Sequence, residues 1–158
     1  MTSKYDDIFG NFMEEIRDYE FAHLDEPNMT GQMRSWLHKS LSKPYIKRIF
    51  ETYTNDKEIA EIEYTLKTPV DDESDKDFVE ELLGKQMVVE WLEPKLKTTT
   101  LLNQMVFNSK ESKWYNQKDH MAEVRSVKNE TYNDVRAMLR DRGYIYNEYL
   151  GNTGNAST

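Results

Sequence analysis

Phe78-Val79-Glu80-Glu81-Leu82-Leu83-Gly84-Lys85-Gln86-Met87-Val88-Val89-Glu90-Trp91-Leu92 is the stretch that decides the fold. Phe78, Val79, Leu82, Leu83, Met87, Val88, Val89 and Trp91 fall at helical spacing but spread round most of the circumference. A helix that is apolar on more than one side is buried by several neighbours. The stretch therefore predicts a central helix, running from about Asp75 or Lys76 to Leu92, in a mainly α protein.

Toward the C-terminus, Pro94 is expected to interrupt this helix. Leu101, Leu102, Met105 and Val106 then suggest a short apolar helix, and residues 108–113 a polar connection. Met121, Val124, Val127, Thr131, Val135 and Met138 keep spacings of three and four, which predicts the longest helix from about Asn116 to Arg142. Gly143 is a natural C′ residue to end it. Tyr144-Ile145-Tyr146-Asn147-Glu148-Tyr149-Leu150 is aromatic-rich and reads as extended. Gly151–Thr158 is a polar tail.

Toward the N-terminus, residues 54–77 read as an insertion. Strict alternation between Ile62 and Leu66 suggests a short strand within about 59–67, ended by Pro69. Asp71-Asp72-Glu73-Ser74-Asp75 reads as an acidic, solvated loop. Upstream, Met33, Trp36, Leu37 and Leu41 share one face of a helix capped by Thr30. Pro44 ends or kinks it, and Tyr45, Ile46, Ile49, Phe50 and Tyr53 continue as a further helical segment. Tyr5, Ile8, Phe9, Phe12, Ile16 and Tyr19 form the stripe of a first helix from about Asp6 to His23. Asp25-Glu26-Pro27-Asn28 separates the two. The expectation is a bundle of four to five helices in a domain of residues 1–143, with the 54–77 insertion and an extended tail over 144–158.

Composition narrows the function. At 158 residues the chain buries roughly two-thirds of its unfolded surface without a staple. It has no cysteine, which removes disulfides and thiolate chemistry. The polar opening MTSKYDDIFG lacks the pattern of a secretory signal, and no apolar run approaches a membrane span. With a formal net charge of −8 and basic residues interleaved with acids, gripping a phosphate backbone is not expected.

No catalytic pattern stands out. The three histidines are His23, His38 and His120. Asp119, His120 and Glu123 could place two ligands on one helix face but lack further local ligands, so a solvated face is the plainer reading and no metal is expected. Asp71, Asp72, Asp75 and Asp77 lack the central glycine and terminal glutamate of a calcium loop. Glu90 and Glu93, at i and i+3, read as a helix end rather than an acid–base pair. No phosphate-cradling glycine loop or Gly-x-Ser-x-Gly occurs. The chain is expected not to be an enzyme and to need no cofactor. The positive signal is aromatic. Trp114, Tyr115, Tyr144, Ile145, Tyr146, Tyr149 and Leu150 are candidate partner-binding residues, because tyrosine and tryptophan suit interfaces. Packing onto the chain's own helices accounts for them as well. Trp36 and Trp91 read as core.

Three stretches carry a resemblance: Tyr5 to Phe12, Met87 to Met105 and Lys113 to Met121. Together they resemble a small virion protein of tailed phages of Gram-positive bacteria, and the helix order is similar to the head–tail connector (adaptor) proteins of the phage neck. The resemblance implies a structural virion protein made in the host cytoplasm. It implies a homo-oligomeric ring, usually of twelve copies, beneath the portal protein and against neighbouring neck and tail proteins. DNA would pass through the ring without specific binding. Residues 54–75 and the last dozen lie outside the resemblance. The competing expectation, from a different class, is a soluble helical adaptor or regulator that binds another protein.

Overall fold

The central helix is longer than its apolar stretch. The computed structural model describes the backbone of residues 1–16, 26–105 and 111–143, and side chains within 1–16, 27–97 and 121–143. In chain order the elements are β1 (Thr2–Lys4), α1 (Tyr5–Glu15), α2 (Glu26–Leu41), α3 (Pro44–Lys47), β2 (Phe50–Asp56), β3 (Glu61–Leu66), α4 (Asp72–Met105) and α5 (Glu111–Asp141). The protein is mainly helical, with five helices and a small three-stranded sheet among the described residues.

α4 begins at Asp72, with Asp72, Glu73 and Asp75 in its first turn, where negative charge suits the helix dipole. Phe78, Val79, Leu82, Leu83, Met87, Val88, Val89 and Leu92 are all buried. α1, α2 and α5 each pack on it. α1 comes so close that a Cβ on Gly84 would lie 2.9 Å from Asn11 Cβ. Phe12 links the layers, its ring 5.5 Å from Trp36 and 6.4 Å from Trp91 between centroids. Trp36 is core, whereas Trp91 is partly buried with Lys95 Nζ 4.1 Å over its ring.

Several boundaries differ from the sequence reading. α1 ends at Glu15 rather than His23, because Ile16 is extended at φ −108° and ψ 141°. The rest of the expected helix lies outside the described residues. α2 starts at Glu26, ahead of Thr30, since Pro27 in a first turn gives up no helical hydrogen bond. Pro44 opens the four-residue α3. The segment beyond Ile49 is a strand and not a helix. Glu51-Thr52-Tyr53-Thr54 has β-branched and aromatic character, and β3 supplies its antiparallel partner.

The strand expected near 59–67 is therefore one of three, in the order β1-β3-β2. Ser3 pairs with Ile62 and Tyr53 with Tyr64. Ile62, Tyr64 and Leu66 point inward, and the Tyr64 hydroxyl meets Ser3 Oγ at 2.9 Å. The acidic loop is also corrected: Asp72 starts α4 and Asp75 is fully buried.

Pro94 does not interrupt α4, and Leu101, Leu102 and Met105 belong to the same helix rather than a separate one. α5 starts at Glu111, five residues before Asn116. It returns antiparallel to α4, because Arg142 Nη2, just beyond its end, donates to Asp75 Oδ1 at 2.8 Å near the start of α4. Arg142 also lies 4.4 Å over the Phe78 ring. Gly143, at φ +76°, ends the helix as expected of a C′ glycine and donates its N–H to the Arg140 carbonyl at 2.8 Å.

Candidate protein-interaction cleft

Gln86, Glu90, Glu93 and Lys97 form a polar seam along α4, at helical spacings of four, three and four. Beside the seam α4 carries Val89 and Pro94. The end of α2 brings Lys39, Ser42 and Lys43, α3 brings Tyr45, and α5 brings Lys128, Asn129 and Tyr132. They enclose an open cleft of about 950 Å³.

Its polar groups hold one another. The Tyr45 hydroxyl donates to Gln86 Oε1 at 3.0 Å, and Gln86 Nε2 donates to Glu90 Oε1 at 3.0 Å. Lys43 Nζ completes the chain 2.7 Å from the same Glu90 oxygen. Glu93 is held by Lys97 at 3.2 Å and by Lys128 from α5. The Tyr45 and Tyr132 rings meet edge to face at 6.1 Å, and Arg136 lies 5.8 Å over Tyr132. Networks of this kind fix side-chain positions.

The surroundings fix the protonation of two of these groups. Burial, then the neighbouring Tyr132 and Glu90, push the Tyr45 hydroxyl up to about 12, so it keeps its proton near neutrality. The lysines beside Glu93, with Lys128 foremost, pull its carboxyl below the usual range and keep it ionised. Four lysines line the cleft against two glutamates, both of them already paired.

A second surface has the opposite sign. Asp6, Asp7, Glu14 and Glu15 of α1 lie beside Asp77, Glu80 and Glu81 of α4, with Lys76 and Lys85 among them. Lys85 Nζ bonds Glu15 at 2.7 Å, and Lys76 Nζ reaches Asp7 at 3.4 Å. Among the described residues no group of three or more histidines, cysteines or carboxylates is placed to hold a metal ion. Among them, too, no helix is long and apolar enough to cross a membrane.

The partner-binding residues singled out from sequence are not among the described side chains. Trp114 and Tyr115 lie in the first turns of α5, their side chains outside the described set. Tyr144, Ile145, Tyr146, Tyr149 and Leu150 lie outside the described residues. The cleft residues Lys43, Tyr45, Gln86, Lys128 and Tyr132 were not singled out. Of the seam, only Glu90 and Glu93 drew notice, as a carboxylate pair. Including Gln86 and Lys97 would have exposed a polar line facing neighbours on a helix whose centre is core.

Fold and surfaces together define a mainly helical protein with one lysine-lined cleft and one acidic face. No family model, characterised protein or solved structure matches the chain.

Proposed function

We propose that this chain is a structural virion protein, a head–tail connector (adaptor) whose copies form a ring beneath the portal and join head to tail. The observation that carries the reading is the cleft, whose polar groups are spent on one another rather than poised for chemistry. That is the character of a rigid docking surface, and it goes with a protein that is not an enzyme. The resemblance in residues 5–12, 87–105 and 113–121 supplies the phage context.

The acidic face of α1 and α4 suits a wall along which DNA slides, because like charge at short range prevents sticking. Trp114, Tyr115 and the 144–150 segment are the proposed contacts to portal and tail neighbours. A nonsense mutation in the phage gene tests the reading. DNA-filled heads and unattached tails are expected by negative-stain microscopy. Intact infectious particles lacking the protein would overturn it.

A further inference from the structure

The turn between β2 and β3 is built to hold one exposed apolar side chain in place. Asp56 Oδ1 accepts the Glu58 and Ile59 backbone N–H groups at 2.9 and 3.3 Å. Ala60 adopts φ +56°, a left-handed conformation that residues with a Cβ rarely occupy. Its carbonyl is clamped by the Tyr5 N–H at 2.9 Å, and the Tyr5 hydroxyl donates to Asn55 at 2.5 Å. Between these anchors Ile59 is 64% exposed. A strained turn fixed at both ends, with an isoleucine at its tip, is a feature that points to contact.

Asp56, Glu58 and Glu61 surround Ile59, with Lys57 the single cation of the turn. The cleft has the complementary character: four lysines against two glutamates, beside Val89, Pro94 and the Tyr45–Tyr132 ring pair in its lining. The tip is clamped to the start of α1 through the Tyr5 N–H and the Ala60 carbonyl, which leaves Ile59 presented outward for a second copy.

We infer that the β2–β3 tip of one copy seats in the lysine-lined cleft of the next, Ile59 against Val89, Pro94 and the ring pair and the turn carboxylates toward Lys39, Lys43, Lys97 and Lys128. Two different surfaces meeting head to tail generate a ring when the rotation closes. The inference rests on the proposed ring and names its subunit interface. Opposite charge sets the register, and the apolar knob supplies the buried contact.

The absence of native cysteine permits a direct test. Ile59→Cys and Asn129→Cys, both at exposed positions, are introduced together and oxidised at increasing protein concentration, alone and with portal-bearing capsids. Disulfide-linked multimers beyond the dimer are expected from the double variant, and nothing beyond a dimer from either single one. Ser42→Cys in place of Asn129→Cys gives a second pair across the opposite wall. Glu58→Lys should reduce linkage severalfold, and Lys39→Glu added to it should restore linkage. If rings form on capsids but neither pair links, this interface is wrong and the ring reading stands. If the native protein neither associates nor binds capsids, the ring reading fails and takes the interface with it.

Discussion

Gly84 and Glu80 are two residues of α4 whose neighbours across α1 and the sheet decide what can replace them. A Cβ at Gly84 would meet Asn11 Cβ at 2.9 Å, the Phe12 backbone nitrogen at 3.1 Å and the Asn11 carbonyl carbon at 3.2 Å. No rotamer change relieves a clash with backbone. Alanine gains about 1 kcal/mol of helix propensity but meets overpacking of about 3 kcal/mol, for a net loss of about 2 kcal/mol. Urea titration of Gly84→Ala should read that loss, and an unchanged midpoint would mean that α1 shifts freely. Glu80 is a buried carboxylate whose Oε1 has no hydrogen-bond partner and lies 3.5 Å from Lys76 Nζ. Burial pushes its carboxyl above the usual range, opposed by Ser3 and Lys76 and reinforced by Asp7. A carboxyl raised in the folded state contributes stability that is fully present below its unfolded value of 4.5 and is lost as pH rises through the folded value. Glu80→Gln should therefore be more stable than the native protein at neutral pH, by about 1 kcal/mol. The gain should vanish on acidification. A destabilised variant at pH 7 would show that the Lys76 pair outweighs the burial.

At the scale of elements, α4 carries the fold. Leu82 is fully buried on it, and Leu82→Ala should destabilise the protein by roughly 2–5 kcal/mol in a denaturant titration. A loss below about 1 kcal/mol would make the helix peripheral. The centre of this helix was legible because its apolar residues run round most of the circumference. Its extent was not. Pro94 removes one backbone bond, which reads locally as a break. Burial of Val88, Val89 and Leu92, and the Glu93–Lys128 pair to α5, hold the chain helical through it. Residues 50–53 are a strand for a related reason, while the start of the same stretch is helical as α3. Ile46, Ile49, Phe50 and Tyr53 carry helical spacing, yet β3 lies alongside and pairing across a turn overrides a short local pattern. β1, three residues long, is a strand because Ile62 is its partner, and nothing within Thr2–Lys4 announces that. The cleft was hidden likewise, since its walls come from three stretches far apart in sequence, 39–45, 86–97 and 128–132.

For the whole molecule, the question is whether residues 144–158 belong to the fold or to its partners. The residues of the described core all precede Gly143. On α5, Val135 and Leu139 are the fully buried apolar residues, and both precede the glycine stop. The last anchor before the stop is Arg142, joined to the buried Asp75 carboxylate at 2.8 Å and to the Ser74 carbonyl at 3.3 Å. Asp75 in turn accepts the Val70 N–H, so α5, α4 and the approach to α4 are tied together ahead of the tail. A chain ending at Gly143 keeps every one of these contacts. It should show the native helical circular dichroism and a thermal midpoint within a few degrees of the full-length protein. What it loses is the run of Tyr144, Ile145, Tyr146, Tyr149 and Leu150, whose aromatic and β-prone side chains suit strand addition to a partner's sheet edge. In the proposed connector, the truncated chain should therefore fail to attach to capsids while its tip and cleft still cross-link copy to copy. Unfolding on truncation would place the segment in the chain's own core. Normal attachment would move the portal contact to the helical surfaces.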